Sequence, residues 1–366
     1  MIPVALADET TARPWRSALE SVWWRRGAGH LEGWALLLAP LSWLYRALAA
    51  VDRALGRRIA QRAQRLAKDR TPTIVVGNWV VGGAGKTPTT LALLAHLKAA
   101  GWRPGVVSRG YAGQARGTRV VDPQRSLGTE VGDEPLLIAR RERVPVVVGP
   151  DRRLARDLLL MSEPGVNIVV ADDGLQHHRL WRDLEIAVVD ERGAGNGRCL
   201  PAGPLREPLP RVLGDRTLLL YSGGVASLAL PGEVAVRRLS GVQSLSDWQQ
   251  DAPLGPEAGW RSLQGRSLHA AAGIAVPERF FASLRSLGLH LAKTYALPDH
   301  HHWAQVPWPH DTGDVLVTEK DAVKLAGSSA AMEGTRIWVV RLDLVLPPAF
   351  TKSLDARLSA LHARPS

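Results

Sequence analysis

The chain has 366 residues, 45% of them hydrophobic and 22% charged, a balance that suits two globular cores and excludes a fibrous or low-complexity protein. Its single cysteine, Cys199, excludes an internal disulfide framework and a cysteine-based zinc site, and suits a reducing cytosol. A net charge of +11 points to an anionic partner: nucleic acid, a phosphorylated substrate or acidic lipid.

The charge is concentrated at the start. Residues 1–70 hold twelve Lys/Arg against six Asp/Glu. Within them, Gly33 to Tyr45 is uncharged, but at thirteen residues it is too short to cross a bilayer, and Pro40 interrupts it. No signal-peptide cleavage pattern follows it. Leu44, Leu48, Val51, Leu55, Ile59 and Leu66 then recur at helical spacing, with Arg46, Arg53, Arg57, Arg58, Arg62 and Arg65 between them. Trp15, Trp23, Trp24, Trp34 and Trp43 lie close by. Residues 1–70 therefore read as a basic amphipathic region lying on an anionic membrane surface. The plainer alternative is a helix packed on its own domain.

The phosphate-loop signal begins at Thr73. TIVVG, Thr73 to Gly77, reads as a buried parallel strand, and Thr87 to Ala100 as a helix. Between them GGAGKT offers backbone N–H groups and a helix N-terminus to phosphate oxygens. The expected nucleotide loop is Val80, Val81, Gly82, Gly83, Ala84, Gly85, Lys86 and Thr87, with Lys86 on the terminal phosphates and the Thr87 hydroxyl on Mg²⁺. Val80 departs from the strict pattern, which has glycine there. Val166 to Ala171 is a second apolar run, and it ends in Asp172-Asp173. A strand ending in acids is how phosphate-loop enzymes hold their metal, so loop and acid pair together point to a Mg²⁺–nucleotide site.

Further strands are expected at Gly105 to Ser108, Val144 to Val148, Glu185 to Asp190 and Thr217 to Tyr221, with helices between several. The fold class is α/β: a phosphate-loop NTPase-like, mainly parallel sheet over 71–221, a connection over 222–245 and a smaller α/β unit over 246–350. In the smaller unit, strands are expected at Ser267 to Ala275, Asp314 to Thr318 and Ile337 to Leu342, with a helix at Pro277 to Leu287. Polar clusters follow the strands: Ser108-Arg109-Gly110-Tyr111, Gly132-Asp133-Glu134-Pro135, Asp151-Arg152-Arg153, Gln176-His177-His178 and Pro204-Leu205-Arg206-Glu207-Pro208. Asp133 could equally be a helix cap. Asp299-His300-His301-His302-Trp303 matches no zinc spacing and suits proton transfer better.

In their order and spacing, VGN, GGAGKTP, SRGY, GDEP, VGPDRR, DDGLQHHRL, PAGPLREP, PDHH and VTEKDAVKL resemble the tetraacyldisaccharide 4'-kinase family, the lipid A 4'-kinases of Gram-negative bacteria, from about Trp34 to Leu325. The resemblance implies transfer of the ATP γ-phosphate to the 4'-hydroxyl of a tetraacyldisaccharide 1-phosphate at the cytosolic face of the inner membrane. It also implies Lys86 and Thr87 at phosphate and Mg²⁺, and Asp172 and Asp173 at the metal. Asp133 is similar to the family's catalytic carboxylate and His300 to its partner histidine, with His301 able to replace it. Asn78, Glu134, Arg153, Gln176, His177, Arg206 and Glu207 match other functional positions. A membrane-associated NTPase switch is the rival class; it would hydrolyse ATP without a lipid acceptor. A nucleic-acid-binding protein is a third reading of the charge; against it, the basic residues travel with tryptophans and an apolar run, and no nucleic-acid module appears.

Overall fold

The computed structural model describes residues 23–24, 35–66, 71–110, 113, 117–252, 254, 259–299, 301, 303, 305–325 and 334–362. The expectations for Trp15, Trp34, Tyr111, His300 and His302 lie outside the described residues.

A long helix, α1 (Ala39–Leu66), precedes the first unit. It begins just after a turn at Leu38, so Pro40 falls in its first turn. Proline is tolerated in a first turn, where its missing N–H has no intrahelical partner to lose. The unit then runs β1 (Thr73–Gly77), α2 (Lys86–Ala99), β2 (Pro104–Ser108), β3 (Arg119–Val120), α3 (Gly128–Val131), α4 (Asp133–Glu142), β4 (Val146–Val148), α5 (Arg152–Ser162), β5 (Ile168–Ala171), β6 (Leu184–Val189), β7 (Thr217–Tyr221) and β8 (Glu233–Val234). Its sheet has the order β3-β4-β2-β5-β1-β6-β7-β8. All pairs are parallel except β3 with β4. Every residue of β1, β2, β4 and β5 is buried. Burial on both faces is why these strands read as continuous apolar runs rather than alternating ones.

The second unit runs β9 (Val236–Ser244), α6 (Leu245–Gln249), α7 (Trp260–Leu263), β10 (Leu268–Ala272), α8 (Pro277–Ser286), β11 (Leu291–Ala296), β12 (Gly313–Thr318), α9 (Glu319–Leu325) and β13 (Thr335–Val345). Its sheet order is β11-β10-β12-β13-β9, parallel but for β9 against β13. The stretch 222–245 is more than a connection. It contributes β8 to the edge of the first sheet and β9 to the edge of the second, and the chain changes sheets at Ala235.

The two units share one apolar core. Leu93, Leu97 and Leu136 from the first belong to the same buried cluster as Val315, Ile337 and Leu344 from the second. Each such leucine, fully buried, contributes roughly 1.5–3 kcal/mol. A last helix, α10 (Pro348–His362), returns to the first unit. Phe350, Leu354 and Leu358 enter the shared core, and Arg357 donates to the Asp215 carbonyl at 2.6 Å. Arg141 of α4 adds a polar tie: it pairs with Glu319 at 2.7 Å, donates to the Leu342 carbonyl at 2.9 Å and also meets Asp343.

Candidate active site

Register places the site. Val75 lies opposite Ala171, so continuing the two strands sets Asp173 level with Gly77, where the nucleotide loop begins. The chain after the acids folds back over β1, and Gly77 makes room for it: a Cβ there would lie 2.6 Å from the Leu175 Cβ.

Val80, the residue that departs from the glycine pattern, forms an antiparallel bridge with Leu205 and is buried. It is extended backbone, which needs no glycine. Gly82 and Gly85 both have φ near +86°, a conformation that L side chains rarely adopt. Gly85 occupies the N-cap of α2 without any side-chain cap, so the first-turn N–H groups remain available to an anion. The loop is held from outside. Arg192 donates to the Gly83 carbonyl at 2.6 Å, and the Ser222 hydroxyl donates to the Ala84 carbonyl at 2.7 Å. Arg237, from the second sheet, donates to Ser222 at 2.9 Å. The sequence reading missed Arg192, Ser222 and Arg237.

Lys86 opens α2, buried, with its Nζ 3.6 Å from Asp173 Oδ1 and donating to Asn78 Oδ1 at 3.4 Å. Thr87 follows it in the first turn, partly accessible. The two acids differ. Asp172 is buried, and one oxygen accepts from the Thr90 hydroxyl at 2.8 Å. Its other oxygen, Oδ2, is buried with no hydrogen-bond partner. Burial first, then the nearby Glu134 and Asp173, raise its pKa to about 7, against the pull of the Thr90 bond and Lys86. Asp173, with φ +47°, is turned outward and accepts from Arg206 at 3.0 Å.

Around the pair, Gln176 donates to the Asn78 carbonyl at 3.0 Å and to Glu207 at 2.9 Å, and accepts from Arg206 at 3.2 Å. Glu207 is also paired with Arg53 of α1 at 2.9 Å. His177 accepts from the Arg152 backbone N–H at 3.2 Å, which caps the start of α5. Burial, reinforced by Arg152, lowers its pKa to about 4, so it is a neutral acceptor here.

One expected residue is not brought in. Arg153 stands on the surface, with Asp157 as its nearest ionic neighbour at 3.9 Å. Arg152 takes the inner position. It is buried, donates to the Gly149 carbonyl at 2.9 Å and the Asp173 carbonyl at 3.5 Å, and keeps a buried Nε without a partner. Burial lowers its pKa to about 10, and Asp173 and Asp172 hold it up, so it remains a cation. A signal existed: Arg152, Ala155 and Leu159 are the buried residues of α5, at helical spacing.

Asp133 is the first residue of α4 and not its cap; Gly132 has that position. The buried Asp133 carboxylate pairs with Lys324 of α9 at 3.2 Å, and Glu134 pairs with Lys320 at 3.1 Å. Lys320 also pairs with Asp299 at 3.0 Å. The His301 ring stands edge-on to Trp303 at 5.4 Å, and the His301 carbonyl accepts from Lys324 at 3.1 Å. The GDEP helix start and the histidine segment are therefore neighbours.

Among the described residues no cluster of three or more His, Cys, Asp or Glu could hold a metal alone. A nucleotide-bound Mg²⁺ needs less: one or two carboxylates beside the phosphates. The orphaned Asp172 oxygen and the outward Asp173 carboxylate fit that need.

The family model described as tetraacyldisaccharide-1-P 4'-kinase matches residues 34–359. A tetraacyldisaccharide 4'-kinase from Methylibium petroleiphilum is 47% identical over 354 residues, covering 96% of each chain. One from Leptothrix cholodnii is 48% identical over 360 residues, covering 97% of this chain and 98% of that one. Among solved structures, the "apo" form of LpxK from Aquifex aeolicus in complex with ATP superposes with a TM-score of 0.68 at 27% identity, covering 88% of this chain and 99% of the other.

Proposed function

The chain belongs to the tetraacyldisaccharide-1-P 4'-kinase family and is an ATP-dependent kinase of lipid A biosynthesis, and we propose from the site how it moves the γ-phosphate of ATP to the 4'-hydroxyl of the disaccharide. The observation that carries the proposal is the approach of Lys86 to Asp173, which joins the glycine loop and the acid pair into one site.

Phosphoryl transfer is chiefly positioning and charge neutralisation. The open N-terminus of α2 and Lys86 would take the β- and γ-phosphates. Asp172, Asp173 and the Thr87 hydroxyl would hold Mg²⁺, which when bound neutralises charge developing on those phosphates. Arg152 and Arg206 offset the acid pair and keep Asp173 aimed at the loop. Asp133 would accept the proton of the 4'-hydroxyl as that oxygen bonds to phosphorus and the bond to the ADP oxygen breaks. His300 or His301 would assist it. Asn78, Gln176 and Glu207 fix the loop and acids against each other.

The acceptor's acyl chains keep it in a bilayer, so the enzyme would work at the membrane surface, on the cytoplasmic face of the inner membrane. Support comes from α1, which exposes Leu41, Leu44, Leu48, Val51 and Leu55 on one side. No helix among the described residues is long and apolar enough to cross a membrane. The deciding assay follows labelled γ-phosphate into a purified tetraacyldisaccharide 1-phosphate or into water. Transfer to lipid, with Asp133→Asn losing about 10²–10⁴-fold in turnover, supports the mechanism. Turnover unchanged in that variant removes Asp133 as the base.

A further inference from the structure

The VTEKDAVKL segment has no part in the mechanism above, yet each charged side chain of α9 is engaged. Glu319 holds Arg141. Asp321 accepts from the Gly273 N–H at 3.1 Å, the Trp303 indole at 3.0 Å and the Thr318 hydroxyl at 2.6 Å. Lys320 bridges Glu134 and Asp299. Lys324 is buried against the first unit. Its side chain is 8% exposed and that of Asp133 6%, with the two charged groups 3.2 Å apart. The same ammonium donates to the His301 carbonyl at 3.1 Å.

A buried ion pair is poor evidence of stabilisation, because apolar residues of similar volume often do as well. Joining the units does not require Lys324 either, since the shared core and Arg141 already do that. What Lys324 adds is geometric. A carboxylate can turn about its side-chain bonds, and a proton acceptor must be held close to its productive geometry. One cation bonded to both Asp133 and the His301 backbone fixes the carboxylate relative to the histidine segment.

We propose that Lys324 is a positioning residue for phosphoryl transfer, holding the Asp133 carboxylate in one orientation against the histidine segment. The proposal rests on Asp133 being the base. Lys324 touches neither ATP nor the acceptor hydroxyl in this role; it acts through Asp133.

A double-mutant cycle on the full-length protein tests this, using Lys324→Gln, Asp133→Asn and the combination. Single-turnover transfer to tetraacyldisaccharide 1-phosphate is read beside ATP affinity and melting temperature. Lys324→Gln should lower turnover about 10–100-fold while leaving ATP affinity and lipid KM within about twofold. In the Asp133→Asn background the same change should cost less than about twofold. Lys324→Arg, which keeps charge and donors, should retain more turnover than Lys324→Gln, and it carries the cycle if the glutamine variant does not fold. Equal losses in both backgrounds, or a loss explained by weaker ATP binding, overturn the role of Lys324 alone. Wild-type turnover in Asp133→Asn by itself overturns the base assignment, and with it this proposal.

Discussion

The guanidinium of Arg53 lies 2.9 Å from Glu207 Oε2, so the basic helix α1 is tied directly to the nucleotide cleft. The other Glu207 oxygen accepts from Gln176, Gln176 accepts from Arg206, and Arg206 donates to Asp173. Asp173 in turn faces Lys86. Nearby, the Tyr45 hydroxyl donates to the Arg206 carbonyl at 2.7 Å and the Ser42 hydroxyl to the Cys199 carbonyl at 2.9 Å. Seating of α1 and the aim of Asp173 thus depend on the same loop.

Arg53→Ala should therefore lower turnover without unfolding the protein. A hydrogen bond to a charged group is worth roughly 1.5–3 kcal/mol, and Arg53 is partly exposed, so the low end applies. Expressed in the transition state, that is about tenfold in turnover. Steady-state transfer to the lipid acceptor measures it. Wild-type turnover would show that the cleft keeps its geometry without α1.

Gly56 tests the seating of α1 by a second route. In an exposed helix interior, Gly→Ala gains about 1 kcal/mol. Here a Cβ would lie 2.8 Å from the His178 Cβ and 3.0 Å from its carbonyl carbon, a backbone atom that cannot move away cheaply. Overpacking costs about 1–3 kcal/mol, so crowding outweighs propensity. Gly56→Ala should raise amide exchange across α1 while leaving β1 protected. Slower exchange in α1 would show that the helix accommodates the methyl.

His178 makes the same contact sensitive to pH. Burial, followed by Arg182, Arg53 and Arg57, lowers its pKa from 6.5 to about 3. The unfolded chain then binds the extra proton first. Stability from neutral His178 is fully present above about pH 6.5 and is lost as pH falls toward 3. Between about pH 6.5 and 5 the loss should be roughly 1 kcal/mol, discounted for solvent screening because the ring is partly accessible. Melting curves of wild type and His178→Gln over that range compare the slopes, and the variant's should be shallower. Parallel slopes would assign the acid sensitivity to other groups.

These contacts also show what the sequence could and could not tell. The buried strands were legible because burial on both faces leaves an unbroken apolar run: Thr73–Gly77 and Thr217–Tyr221 begin and end where expected. Edge strands were not. Val236–Ser244 carries Arg237 and Arg238, and Leu291–Ala296 is mostly accessible, so neither shows the apolar run or strict alternation of a covered strand. The glycine loop, the acid pair and the GDEP start could be picked out in the sequence as candidate chemistry. Their partners were not, because Lys324, Arg237 and Arg192 arrive from segments far along the chain whose approach only the fold defines. Which of Arg152 and Arg153 faces inward turned on one step of helical rotation. Of the tryptophans expected at a headgroup layer, Trp43 is exposed. Trp23 instead donates to the Pro201 carbonyl, and Trp24 stacks under Arg192 at 4.3 Å.

The outer face of α1 carries the remaining prediction. Leu41, Leu44, Leu48, Val51 and Leu55 follow one another at spacings of three or four, and each is more than half exposed. On the inner side Ser42, Gly56 and Ala60 are buried, so the apolar row is turned away from the body of the protein. In water such a row is a cost; at a bilayer surface it would insert, while the arginines would attract anionic headgroups at about 1 kcal/mol each. The two contributions separate by salt, because a Debye length near 3 Å at 1 M removes the charge attraction and leaves the apolar one. Leu44→Ser/Leu48→Ser/Val51→Ser removes roughly 3–6 kcal/mol of insertion, enough to cut vesicle binding at least about 100-fold. Its ATP affinity should match wild type, since these side chains face away from the Tyr45 and Arg53 contacts that seat the helix. Sedimentation with anionic vesicles at low and high salt measures both parts. Undiminished binding by the triple variant would mean that another surface binds the vesicles.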